Sequence, residues 1–398
     1  MARLSHVETS KAHQRVAHSS RPLRVLSAVM LAGLVVAGCQ GDEYGYGPKA
    51  ERPVSSQIKQ SMKAMDMSAT SPIMVRIFKE ENELEVWKQK RNGKYALLET
   101  FEICKWSGKV GPKFKEGDRQ APEGYYEITP GLMNPRSNYH LAFNLGYPNQ
   151  YDRSHGRTGS HLMVHGACSS RGCYAMTDQQ VQDIYALARD SFKGGQRSFQ
   201  VQAYPFHLTP ENLARHRDSE HMEFWQMLKV GYDHFELTNM PPKVDVCEKK
   251  YVFNAQTLKP NARFRASATC PEYQITPMLE NAVLAKQTKD QAEFETIVAK
   301  LEAKEEREKR WAKTESSIAS FVKGGQPAVD ELAGDDAQTS EVALSRAKPE
   351  TGSEIGYTKK QSAGSFLKKW LPFGTNKEEA KAASESVSAI DITPAEKP

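Results

Sequence analysis

Gly159-Ser-His-Leu-Met-Val-His-Gly-Ala-Cys-Ser-Ser-Arg-Gly-Cys-Tyr-Ala-Met176 is the stretch on which the reading of this chain turns. A strand-like run leads to His165-Gly166, a short loop to Ser170-Arg171-Gly172-Cys173, and a helix follows. Thr177 with Gln180 three positions on forms a capping box. Val181, Ile184, Tyr185 and Ala188 then recur at helical spacing. Thiol catalysis needs a cysteine in a tight turn, a histidine within hydrogen-bond reach and oxyanion donors. Gly172 carries no side chain, so backbone N–H groups beside it can face a developing oxyanion. His165, at the adjacent strand end, can hold the proton taken from Cys173. A cysteine between a strand and a helix start also predicts that the helix's positive end favours the thiolate.

Working outward, Ile73–Phe78 and Glu83–Lys88 are two short runs separated by Lys79–Asn82, which predicts a hairpin. Tyr95–Ile103 makes a third strand after a turn at Asn92-Gly93. Loops rich in Gly and Pro cover 107–124 and 130–137. Further strands are expected at 125–129, 139–145, 160–165 and 198–204, and a second helix at Thr209 with Pro210 in its first position. Residues 71–275 therefore read as a mainly β domain with added helices. Residues 276–320 are rich in Ala, Lys and Glu, with Phe294, Ile297, Val298 and Leu301 on one face, which predicts an amphipathic charged helix. From 321 to 398 few apolar residues remain and disorder is expected; Phe366–Phe373 is an aromatic exception within that tail.

The N-terminus reads as a processing segment. Basic residues up to Arg24 precede an apolar run, Val25–Gly38, of about 14 residues, too short to span a bilayer and of the length of a signal-peptide core. Val36-Ala37-Gly38-Cys39 reads as a lipobox, with Cys39 the lipidated residue, and the polar stretch 40–70 as a flexible tether. Export changes the cysteine arithmetic. Of six cysteines, five remain beyond Cys39, and an odd number in an oxidising compartment leaves a thiol over. Two disulfides and one free nucleophile is the economical solution. Cys104–Cys168 with Cys247–Cys270 is the expected pairing, although sequence alone does not fix the connectivity.

The His-Gly followed by Ser-x-Gly-Cys resembles the L,D-transpeptidase catalytic domain (YkuD-type) family. Asp118-Arg-Gln-Ala-Pro-Glu-Gly-Tyr-Tyr-Glu-Ile128 is similar to that family's Thr-Pro-x-Gly-x-Phe segment, and the short His-to-Cys gap is most like the YafK-like branch. The resemblance covers about 71–275 and implies a β-sandwich with its nucleophile on a loop at one end. It implies that Cys173 attacks the carbonyl of the third residue of a peptidoglycan stem peptide, with His165 as base. The Gly172 and Cys173 amides would be oxyanion donors and the Gly166 carbonyl would orient the imidazole. The thioester would be resolved by an amine or by water, and some members of the branch release a wall-linked lipoprotein from diaminopimelate. Where the family commonly has Ser-His-Gly-Cys this chain has Arg171, and where an arginine often follows the cysteine it has Ala175. Arg171, Arg157 and Ser170 are accordingly the candidates for contacting substrate carboxylate.

Partners expected on this reading are stem peptides, a wall-linked lipoprotein or outer-membrane protein, and a membrane reached through the lipid anchor. The location would be periplasmic, on the outer rather than the inner membrane. The net charge of +5 is too weak and too mixed in sign to point to nucleic acid. No cofactor is implied. His161, His165, Cys168 and Cys173 fit no zinc spacing. A Cys168–Cys173 disulfide and a non-catalytic wall-binding module are the remaining alternatives.

Overall fold

The computed structural model describes residues 48–324. The signal peptide, Cys39 and the tail beyond 324 lie outside them. Strand β1 (Ile73–Phe78) and strand β2 (Glu83–Gln89) form the expected hairpin, and β3 (Tyr95–Glu102) continues it. After β4 (Lys105–Trp106) and β5 (Gly124–Ile128) come the short strands β6 (Met133–Asn134), β7 (Ala142–Asn144), β8 (Met163–His165) and β9 (Tyr174–Ala175), and then β10 (Phe199–Tyr204). They make two five-stranded sheets, one in the order β3-β2-β1-β10-β5 and the other β4-β9-β8-β7-β6. Two small hairpins, β11 (Val244–Cys247) with β12 (Lys250–Phe253) and β13 (Gln256–Thr257) with β14 (Tyr273–Gln274), lie downstream.

The first sheet is buried on both faces, which is why β1 reads as an almost unbroken apolar run and is buried at all six positions. Val75, Ile77, Leu84, Val86, Val201 and Ala203 face the second sheet, whose Phe143, Val164 and Tyr174 belong to the same core. Phe78, Tyr125 and Tyr204 face the other way, against Trp225, Leu228 and Tyr232. The expected β-sandwich is therefore present, with a helical layer behind it.

Seven helices complete the described chain: α1 (Pro48–Glu51), α2 (Ser56–Ala64), α3 (Gln150–Ser154), α4 (Asp178–Lys193), α5 (Pro210–Arg215), α6 (Met222–Thr238) and α7 (Pro277–Gly324). The capping box predicted for α4 is formed by Thr177 and Gln180, and Thr209 caps α5 with Pro210 in its first turn.

The flexible-tether expectation fails for residues 48–64. Ser55 caps α2 and also donates its backbone N–H to Asp183 Oδ1 at 2.7 Å. Ala50, Val54, Ile58 and Met62 are all buried in the sandwich core. Burying an Ile or Met side chain is worth about 1.5–3 kcal/mol, enough to hold a polar segment that composition alone describes as tether. Helix α7 runs to 324 rather than 320, and its first turns dock through charge as well as apolar contact. Lys229, Asp233, Lys286 and Asp290 form an ion-pair network between α6 and α7. Among the described residues no helix is long and apolar enough to cross a membrane.

Candidate active site

Strands β8 and β9 run parallel, with Val164 opposite Tyr174 and His165 opposite Ala175. Carried one residue back, the register sets Cys173 beside Met163, and Met163 N–H donates to Cys173 Sγ at 3.4 Å. Residues alternate across a strand. Val164 and Tyr174 enter the core, so His165 and Cys173 share the opposite, outer face. They are diagonal neighbours there, one position apart along the same face. Ala142 on β7 and Ala175 on β9 flank His165 in register, and both are buried with it.

His165 is buried, and its Nδ1 lies 2.6 Å from the Gly166 carbonyl. Nδ1 therefore carries the hydrogen and donates it, leaving Nε2 as the base. Burial holds the imidazole below its ordinary pKa, partly offset by the Gly166 carbonyl. Tyr139 lies over the ring with centroids 4.8 Å apart. Gly166 cannot be larger: a Cβ there would sit 2.6 Å from Asp178 Oδ1 and 2.9 Å from the Tyr139 carbonyl oxygen. Gly166→Ala should displace the loop and with it His165. Since a shift of about 1 Å in a catalytic group can lower a rate about 100-fold, kcat should fall by that order while the far-ultraviolet circular dichroism stays unchanged.

The loop between the strands is held at several points. Cys168 is disulfide-bonded to Cys104, and Cys247 to Cys270, leaving Cys173 as the free thiol among the described residues. This removes Cys168 both as a metal ligand and as a partner for Cys173. Ala167 N–H donates to Asp178 Oδ1 at 2.8 Å. Ala167 and Cys168 hold left-handed backbone angles of 65° and 43°, a strained conformation for residues other than glycine. Gly172, at φ 116°, needs the freedom of glycine just before the nucleophile.

Three sequence expectations change here. First, Cys173 does not abut a helix: β9 intervenes, α4 begins only at Asp178, and its opening turn is occupied by the Thr177–Gln180 box. Burial instead pushes the Cys173 thiol above its ordinary value, with the Met163 amide and the Lys113 charge pulling partly back. Second, the Cys173 amide is engaged. It donates to Ser170 Oγ at 3.0 Å, while that hydroxyl donates to the Cys173 carbonyl at 2.6 Å. Ser170 thus braces the turn, and the Cys173 amide is already committed to it. Third, Arg157 is buried, paired to Asp152 Oδ1 at 2.8 Å and enclosed by Phe114, Tyr151 and Phe224. It cannot reach a substrate; Arg171 is exposed beside the loop.

Lys113 and Tyr139 lie beside the pair and are not singled out by the sequence. Lys113 pairs with Asp118, whose carboxylate also accepts from the Phe114, Lys115 and Gln120 amides. That folds the 107–124 loop towards the thiol; the Arg119 backbone lies 3.9 Å from where a Gly172 Cβ would be. The visible signal is the Asp118-x-x-Ala-Pro motif, which carries family resemblance but not loop geometry.

The resting thiol donates to the His161 carbonyl at 3.7 Å and makes no hydrogen bond to His165. With the thiol pKa raised and the imidazole pKa lowered, a neutral Cys–His pair rather than a thiolate–imidazolium pair prevails near pH 7. Alkylation of Cys173 by iodoacetamide should accordingly stay slow at pH 7 and rise only above the ordinary thiol value of about 8.5. A thiolate titrating near pH 5–6 by ultraviolet absorbance would contradict this.

Residues 75–196 match the family described as YkuD, L,D-transpeptidase catalytic domain. YafK of Escherichia coli K12, provisionally named an L,D-transpeptidase, is 40% identical over 228 residues, covering 57% of this chain and 88% of that protein. The chain belongs to the L,D-transpeptidase family. YafK of E. coli O157:H7 matches to the same extent. Among solved structures, the helical cell shape determining protein Pgp2 of Campylobacter jejuni aligns with TM-score 0.25 and 22% identity, over 37% of this chain and 56% of that one. In this L,D-transpeptidase-family chain the matched region holds both β8 and β9, and so His165 and Cys173.

Proposed function

We propose that the chain is a cysteine acyltransferase that remodels peptidoglycan, acting on the third stem-peptide residue. The observation that carries the proposal is the pairing of His165 and Cys173 on one sheet face, with the Gly166 carbonyl fixing the imidazole so that Nε2 is the free base. Cys173 Sγ attacks the carbonyl as its proton passes to His165 Nε2, and the Gly172 amide receives the developing oxyanion. The bond to the terminal D-residue breaks, its amine takes the proton from His165, and a thioester remains on Cys173. An incoming amine resolves the thioester by transpeptidation; water resolves it to a free third-residue carboxyl and the Cys173 thiol, so that the net reaction is hydrolysis, the amine expelled in the first step being either a D-residue or a lipoprotein held on diaminopimelate. Arg171 supports the reading as the exposed cation beside the loop. Lipidation at Cys39 and a periplasmic, outer-membrane location are part of the same proposal.

Incubation of the protein with muropeptides, followed by mass spectrometry of the Cys173 peptide, tests it. An acyl adduct that amines resolve supports transfer, and one that only water resolves supports hydrolysis. Muropeptide binding with no adduct at Cys173 would replace the proposal with a wall-binding role.

A further inference from the structure

On the far side of the central sheet from the thiol, three potential ligand groups converge. Glu83 and Glu85 alternate onto one face of β2, and His207 lies in the connection between β10 and α5. Their donor atoms all lie within 4.8 Å of one another. We propose that Glu83, Glu85 and His207 bind one divalent transition-metal ion, with Glu81 orienting the imidazole.

The imidazole is held as a ligand would be. His207 stacks on Phe78 with centroids 3.6 Å apart, and Phe78 pairs with Glu83 in the β1–β2 register. Glu81 Oε1 accepts from His207 N–H at 3.0 Å and faces Nδ1 at 3.3 Å. A carboxylate on one ring nitrogen that leaves the other free is the usual support of a metal-bound histidine. The other nitrogen, Nε2, faces Glu85 Oε1 at 3.7 Å. Two donors of a tetrahedral ion at about 2.0–2.1 Å stand about 3.3 Å apart, so a small closure would seat one.

Glu85 is prepared in the same way. Trp87 Nε1 donates to its Oε2 at 2.7 Å, and Arg76 Nη1 lies 4.0 Å from that same oxygen. Oε1, on a side chain only 9% exposed, is aimed at His207. Glu81 Oε2 is buried and unpartnered. One nitrogen and two oxygens suit Zn²⁺ or a neighbouring first-row ion. The ion would clip the start of β2 to the β10–α5 connection.

Isothermal titration of ZnCl₂ into the Cys173→Ser chain, which removes a competing thiolate, tests this. One ion per chain is expected. Glu81→Gln should weaken binding about 10- to 100-fold, the usual cost of losing a supporting carboxylate, and His207→Gln or Glu85→Gln by more. X-ray absorption should find only nitrogen and oxygen donors. Absence of binding in the parent, an affinity unchanged by His207→Gln, or sulfur in the shell would overturn the proposal. If His207→Gln does not fold by circular dichroism, the half-exposed Glu83→Gln decides, and an unchanged affinity there would likewise overturn it.

Discussion

Cys173→Ala should abolish adduct formation and lower muropeptide turnover by at least about 10⁴-fold, the scale on which removing an attacking nucleophile acts. The same change should leave the fold almost untouched. Cys173 sits on the outer face of the second sheet, and its sulfur is engaged only by the Met163 amide and the His161 carbonyl. It is not in the disulfide framework. Thermal unfolding of the variant should therefore shift little, and affinity for an unreactive stem peptide should persist. His165→Gln should also suppress turnover, but its adduct formation should recover as pH rises and the thiol ionises without a base. Undiminished turnover in Cys173→Ala would remove the proposed mechanism outright. Recovery in His165→Gln that fails to follow pH would remove only the base assignment.

The nucleophile and its histidine are legible in sequence because they lie close together on elements that signal themselves: a strand ending in Gly166, a tight turn at Gly172 and the Thr177–Gln180 cap. The cysteine count works for the same reason. Once one residue is set aside, five cysteines allow two disulfides and one thiol left over, and that is the count observed among the described residues. What sequence misses depends on contacts made at a distance. The two-residue β9 is too short to show periodicity, so Cys173 reads as abutting a helix it does not touch. Helix α6 has no side-chain cap at His221. It also contains Gly231, where a Cβ would meet Tyr125 Oη at 2.3 Å; the glycine that weakens the helix signal is what lets the helix approach the sheet. Helices α1 and α2 look like tether because only Ala50, Val54, Ile58 and Met62 pack, and a wide apolar stripe is not needed to dock two short helices. Ser170 and Arg157 are legible as polar groups near the motif, but not as groups already committed to partners.

Arg157→Ala separates those two readings of that residue. Were Arg157 a substrate contact, the variant would fold normally and its KM would rise. The structure places the guanidinium against an Asp152 carboxylate that is wholly inaccessible. That carboxylate also accepts from the Asn149 amide and from Tyr126 Oη. Removing the cation strands a buried charge, a loss of about 3–5 kcal/mol, and empties the space between Phe114, Tyr151 and Phe224. At about 2–4 °C per kcal/mol for a chain of this size, the unfolding midpoint should drop by about 10 °C. The deficit should depend on pH with a definite sign. Burial already pushes the Asp152 carboxyl up even with Arg157 beside it, and without Arg157 it rises further. A carboxyl whose folded value exceeds its unfolded value favours the folded state below the unfolded value, near 3.9, and loses that contribution as pH rises through the folded one. The variant should therefore lie nearer the parent in mild acid than at pH 7. Asp152→Asn combined with Arg157→Met, which removes both charges and keeps the volume, should recover most of the stability. A normal midpoint with a raised KM would return Arg157 to the substrate.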